Sequence, residues 1–231
     1  MLISMKKPAH PLRFAILAAD TALFTLRDGR LCVRLIAVNR PPFYTNIWGL
    51  PGGLLRPEET AEAAALRHLK EKAGIRIHHV YAEQLYTFSD PRRDPRGRVV
   101  AVAYLALVPW NALSPREREN TAQAKWLPVD ETKHLAYDHN TILLAARARL
   151  RSRVTYTTLI RNLMPKEFTL TELEAAHESI LAADLDKRNF RKKIRGLKIL
   201  KKRPYKRTGG RSRPAQLYEY ESPKVTEIKT L

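Results

Sequence analysis

The chain has 231 residues, with 42 Lys and Arg against 23 Asp and Glu, a net charge of +19 and 44% hydrophobic residues. That length suits two modest domains, each with its own core, and the charge points to an anionic partner such as nucleic acid. The lone Cys32 excludes an internal disulfide framework and fits a reducing cytoplasm. No secretory leader is visible, and the longest apolar run, residues 99–110, is too short to cross a bilayer as a helix, so no membrane partner is expected.

In chain order, residues 1–12 read as an irregular arm and residues 14–26 as a strand through the core. Asp28-Gly29 marks the tip of a hairpin, with residues 31–38 as the return strand. Pro41 and Pro42 interrupt pairing and make residues 39–43 a loop, and Trp48 precedes a turn at Pro51-Gly52-Gly53. A helix of Ala, Leu, Glu, Lys and Arg follows and stops at Gly74. Strands are expected around residues 75–88, over 99–108 and over 124–128, with a charged, turn-rich loop at 89–97. A helix from about His139 runs through Ile142, Leu143 and Ala146 to Leu150 at helical spacing. This order predicts an α/β (α+β) domain over residues 1–152, with a mixed sheet between helices.

Beyond Arg151 the texture changes. Residues 155–164 predict a short helix ending before Pro165. Thr169 and Glu172 form a capping box, opening a helix that buries Leu170, Leu173, Ile180 and Leu181. Asp186 caps the next helix, in which Phe190, Ile194 and Leu197 form an inner stripe at i, i+4 and i+7. Residues 199–202 and 215–220 read as strands joined through Thr208-Gly209-Gly210. Three helices and a hairpin outline a winged helix-turn-helix over residues 153–222, with 223–231 as a loose tail. From Lys187 to Arg213 basic residues recur at about every second position, with no Asp or Glu. The helix turns Lys187, Arg188, Arg191, Lys192 and Arg195 outward, a face that fits a DNA major groove. The small, basic wing tip suits phosphates or a minor groove.

Residues 53–75 carry Gly53, Glu59, Arg67, Leu69, Glu71, Gly74 and Ile75 at a spacing that resembles the signature of the Nudix hydrolases. Members of that family place glutamates where His68, Glu71 and Lys72 stand here. Three carboxylates on one helix face would hold Mg²⁺, activate water and neutralise a diphosphate. Only Glu71 remains, so no catalytic or metal-ligating residue is assigned.

With Trp-Gly-Leu-Pro-Gly-Gly at 48–53, Gln-Leu-Tyr-Thr-Phe at 84–88, Asp-Pro-Arg-Gly-Arg-Val-Val at 94–100 and Asp-His at 138–139, the resemblance extends along the chain. Leu-Asp-Lys-Arg-Asn-Phe-Arg-Lys-Lys at 185–193 and Gly-Gly-Arg-Ser-Arg-Pro-Ala at 209–215 are its most specific parts. From about Arg13 to Tyr220 the chain resembles the NrtR-type, Nudix-related transcriptional regulators, which join a Nudix-like α/β/α sandwich to a C-terminal winged helix. The resemblance implies a cytoplasmic, homodimeric repressor of NAD-metabolism genes that binds a double-stranded DNA operator. Its effector would be ADP-ribose or a related nucleotide, with no required cofactor, although Mg²⁺ can accompany the nucleotide. Other relatives control sugar-utilisation genes, which leaves a sugar effector open.

By position, the resemblance implies DNA contacts from Lys187, Arg188, Asn189, Arg191 and Lys192 on the recognition helix. Arg207, Thr208, Arg211 and Arg213 would contact DNA from the wing. Effector binding falls to Arg40, Phe43, Gly53, Arg67, Glu71, Arg98 and Tyr104, with Arg40 and Arg98 on a diphosphate and an aromatic on adenine. Plainer roles compete: Phe43 and Tyr104 as core, Arg67 as the partner of Glu59, and Asp138 as a helix cap rather than a dyad with His139. Two other functions remain open from the sequence. One is an active pyrophosphatase on ADP-ribose or NADH, using Glu58, Glu59, Glu62 and Glu71; the other is a non-specific nucleic-acid binder.

Overall fold

The computed structural model describes residues 14–208 and 214–230. Strand β1 (Ile16–Arg27) turns at Asp28 and Gly29, both at positive φ (51° and 74°), into β2 (Arg30–Arg40). That is the backbone a two-residue hairpin needs, and Asp-Gly supplies it. β2 continues two residues beyond the expected end before the proline turn, and β3 (Tyr44–Gly49) pairs back on it. A short β4 (Gly52–Leu54) leads to helix α1 (Ala61–Glu71), whose N-cap Thr60 accepts from the Ala63 N–H. The stretch after α1 is not strand at its start: a 3₁₀ turn at Ile77–His79 precedes β5 (Tyr81–Phe88).

After the charged loop come β6 (Val99–Leu107), helix α2 (Pro115–Arg118), β7 (Ala124–Pro128) and helix α3 (His139–Tyr156). The sheet order is β3-β2-β1-β6-β5, with β4 added to β1 and β7 to β2. β1 and β6 run parallel from Ile16 opposite Val99 to Phe24 opposite Leu107, and the other pairs are antiparallel. The period of two along β1 sends Leu23 toward α1 and Ala22 and Phe24 toward α3. The result is a mixed sheet between α1 and α3.

Helix α3 passes without a break through residue 152, so the short helix expected over 155–164 is not there. Its first residues complete α3, and a 3₁₀ turn at Leu159–Asn162 follows. Next come β8 (Phe168–Thr169), helix α4 (Leu170–Leu181), helix α5 (Lys187–Gly196), β9 (Leu200–Arg207) and β10 (Ala215–Tyr220). The capping box at Thr169 and Glu172 is formed, and the Asp186 carboxylate accepts from the Asn189 N–H at 2.6 Å. β8, β10 and β9 make the three-stranded wing sheet.

The two halves do not have separate cores. Phe24, Leu31, Val33 and Leu35 of the large sheet share one buried cluster with Leu159, Ile160, Leu173, Ala176, Phe190 and Ile194. Helix α4 packs directly against β2. The segment expected as a loose tail is also docked. The Thr158 N–H donates to the Thr226 carbonyl at 2.9 Å, the Ile228 N–H to the Tyr156 carbonyl at 2.8 Å, and Val225 packs on the shared core.

Candidate functional site: an anion cavity and a basic reading head

A cavity of about 410 Å³ opens where the ends of β1, β2 and β4 meet the C-terminal end of α1, the loop before β6 and the start of α3. Its floor is built on glycines. A Cβ at Gly52 would lie 2.0 Å from Asp20 Oδ1, and one at Gly49 would lie 2.9 Å from His139 Nδ1. Without side chains there, the Leu50 N–H donates to His139 Nδ1 at 2.9 Å, and His139 Nε2 stands 3.6 Å from Asp20 Oδ1. Burial pushes the Asp20 carboxyl up, but His139 and Arg93 more than offset it and leave it below its ordinary value.

Arg93 is the buried centre of this floor. Its Nη2 donates to Asp20 Oδ2 at 2.9 Å and to Asp138 Oδ1 at 2.7 Å, and its Nε donates to Asp138 Oδ2 at 2.9 Å. Asp138 holds the N-cap position of α3, yet its carboxylate makes no cap bond because it is committed to Arg93. Arg96 forms a fork on Asp94 at 2.9 and 2.7 Å. The aromatic wall is Tyr137, held at φ 55°, with Tyr44 tilted against it at 4.6 Å and Arg96 over its ring at 5.6 Å. A bulky residue at positive φ is uncommon; here it turns the Tyr137 ring to the cavity, where a planar base can stack on it.

The winged helix supplies the second surface. On α5, Lys187, Arg188, Asn189, Lys192, Lys193 and Arg195 are exposed, while Phe190 and Ile194 are buried. Arg191 is tied down: its Nη2 donates to Thr171 Oγ1 at 3.0 Å, and its Nε lies 3.5 Å from the buried Glu174. Arg207 likewise pairs with Glu172 at 2.5 Å. Both partners belong to α4, so one helix fixes the attitude of the recognition helix and of the wing.

These two surfaces agree with what the chain is similar to. A NUDIX domain family model matches residues 17–146, and a model described as the NrtR DNA-binding winged helix domain matches residues 160–220. The ADPR responsive transcriptional repressor NtrR of Acinetobacter baylyi is 34% identical over 209 residues, 89% of this chain and 82% of that protein. The chain belongs to the NrtR family. The crystal structure of Shewanella oneidensis NrtR complexed with a 27mer DNA superposes with a TM-score of 0.78 at 34% identity, covering 89% of this chain and 93% of that one. The NUDIX domain of the Shewanella protein complexed with ADP ribose gives a TM-score of 0.51 at 34% identity, over 60% of this chain and 90% of that one.

Within this NrtR-family chain, the structure brings together only part of the effector set expected from sequence. Arg40 and Gly53 line the cavity. Arg67 does not reach it, since it pairs with Glu59 and Glu71 and donates to the Leu54 carbonyl at 3.2 Å. Glu71 is half-exposed and shared between Arg67 and Arg56. Tyr104 is core, packed with Ala19, Ala64 and Ala65, and Phe43 sits exposed on the β2–β3 turn. Arg98 donates to the Ser89 carbonyl at 2.7 Å and closes the loop rather than facing the cavity. Among the residues expected to contact DNA, Arg211 and Arg213 lie outside the described residues, and Thr208 is exposed at the wing.

Sequence reasoning missed Asp20, Arg93, Arg96 and Tyr137. The motifs at 94–100 and 138–139 pointed to the neighbourhood, but the partners of Arg93 stand 73 and 45 residues away along the chain. Among the described residues no helix is long and apolar enough to cross a membrane, and no group of three or more His, Cys, Asp or Glu is placed to hold a metal ion.

Proposed function

We propose that this chain is a homodimeric transcriptional repressor whose operator affinity is set by ADP-ribose or a related nucleotide, with the Nudix domain acting as sensor and not as hydrolase. The observation that carries this is the position of β2. Its Arg40 end rims the cavity, and its other end enters the core shared with α4. The 11 residues of this one strand run from the cavity rim into that shared core. Helix α4 in turn holds α5 through Glu174 and the wing through Glu172. A ligand that repositions the Arg40 end would tilt both reading elements together. In a dimer, half-site spacing is fixed by geometry, so a small rotation is enough to lose one half-site.

ADP-ribose fits the cavity chemically: Arg40 and Lys72 for the diphosphate and Tyr137 for the base. It is the part of NAD left when nicotinamide is removed, which suits control of NAD-metabolism genes. The hydrolase reading is disfavoured by its own carboxylates. Arg67 holds Glu59 down to about 2, Glu71 is neutralised by Arg67 and Arg56, and neither Glu59 nor Glu71 lines the cavity. Two assays test the proposal. The full chain should bind a duplex from upstream of its own gene against random competitor at about 0.15 M salt. It should release no AMP from ADP-ribose with Mg²⁺. Equal affinity for any duplex, or AMP release at ordinary enzyme rates, would overturn it.

A further inference from the structure

The carboxylate set that would hold Mg²⁺ at this position of a Nudix helix does not fit the residues present. His68 is buried, and its Nε2 lies 3.3 Å from the Leu54 carbonyl. Glu71 is drawn to Arg56 and Arg67, and Lys72 carries a positive charge at the cavity wall. We propose that the Lys72 ammonium and the Arg40 guanidinium together replace the divalent cation, so that the cavity binds a diphosphate ester without any metal ion. This rests on the sensor reading above and deepens it.

The charges around the cavity support the assignment. Of its four cationic side chains, Arg93 is consumed by Asp20 and Asp138, and Arg96 by Asp94. Among the described residues, Arg40 and Lys72 have no carboxylate within 4.0 Å of their nitrogens. Neither is tied up in an ion pair of its own, so each can meet one phosphate of a diphosphate diester, which carries one negative charge on each phosphate.

Lys72 is also held in place. Its Nζ donates to the Gly52 carbonyl at 2.6 Å, which uses one of its three donors and leaves two for ligand oxygens. A Cβ at Gly53, whose φ is +155°, would lie 2.7 Å from that Nζ, so the glycine lets the ammonium settle against the backbone. Partial desolvation at the cavity wall, reinforced by the charge of Arg40 and opposed by Asp20 and Glu71, leaves the Lys72 ammonium below its ordinary value. An anion between Lys72 and Arg40 would relieve that repulsion, whereas a divalent cation would add to it.

The test is calorimetric titration of the full chain with ADP-ribose and, separately, with inorganic pyrophosphate, in EDTA and in millimolar Mg²⁺. The wild type should bind ADP-ribose with the same affinity, within about twofold, in both buffers, and should bind pyrophosphate in EDTA. Lys72→Met, a substitution close in shape, should weaken binding about 10- to 100-fold in both, as expected for a lost charge-assisted hydrogen bond. Its melting temperature should stay near that of wild type. Binding that needs Mg²⁺, or a Lys72→Met variant that binds like wild type, would overturn the proposal. Pyrophosphate binding that is metal-free and Lys72-dependent, without ADP-ribose binding, would uphold it and remove the nucleotide reading. Failure of both ligands to bind would overturn both.

Discussion

Replacing Arg93 with Met tests whether the cavity floor is held together by charge. The guanidinium side chain is 3% exposed and serves Asp20 (6%) and Asp138 (16%) at 2.7–2.9 Å. Met fills similar volume but leaves two nearby carboxylates without their shared cation. Breaking a buried pair by removing one partner costs about 3–5 kcal/mol, a large part of the roughly 5–15 kcal/mol that holds a domain together. The assay is urea unfolding followed by circular dichroism, at neutral pH and again near pH 4.5.

The pH dependence has a definite sign. In the wild type Asp20 titrates below 3.8, so its contribution is present above that value and lost as pH falls through the lower folded one. Removing Arg93 removes two influences that hold Asp20 down, so the variant takes up its proton at higher pH. The stability gap between wild type and variant should therefore be widest at neutral pH and shrink on acidification. A loss below about 1 kcal/mol, the range of an exposed pair, or a gap that widens in acid would show that charge does not hold the floor together.

Other outcomes follow from the same structure. His177 is buried, and burial lowers it from 6.5 to about 4, so the unfolded chain takes up its proton first and stability falls as pH drops through that window. The expected loss is about 3 kcal/mol; melting temperature against pH should slope over that range in wild type and be flatter in His177→Gln, and parallel curves would contradict this. Leu173→Ala should cost about 2–5 kcal/mol. Because Leu173 belongs to the core shared by both halves, wild type and variant should each melt in one calorimetric transition, whereas two would separate the halves. On DNA, Lys192→Ala should lower the salt slope of binding by about one without changing the melting temperature. Arg191→Ala should also lower the melting temperature, since it strips Glu174 of its partner.

What was legible in the sequence was mostly local. The Thr169–Glu172 box, the Asp186 cap and the Asp28-Gly29 turn each declare themselves within four residues, because the donor and acceptor are chain neighbours. The stripe of Phe190 and Ile194 needed only helical period. The cavity was a different matter. Arg93 reads as one more arginine in a charged loop until folding brings Asp20 and Asp138 to it, and Tyr137 is an ordinary tyrosine until its positive φ turns it to the cavity. Arg34 was invisible for the same reason. It is buried, donates to the Ala73 carbonyl at the end of α1 at 3.0–3.1 Å, and is lowered by burial to about 10. The expected end of the helix at Leu150 also failed, since the 18 residues of α3 run on to Tyr156.

Because the Nudix sheet and the winged helix share one core, ligand binding and operator binding should be coupled. The most direct measurement is fluorescence anisotropy of the full chain on its labelled operator duplex, with ADP-ribose titrated in EDTA and random duplex as competitor. The expected result is tight, competitor-resistant binding whose midpoint moves about tenfold or more as ADP-ribose saturates, with that response lost in Lys72→Met while operator affinity itself is kept. Operator binding indifferent to ADP-ribose, when calorimetry shows the nucleotide is bound, would contradict it.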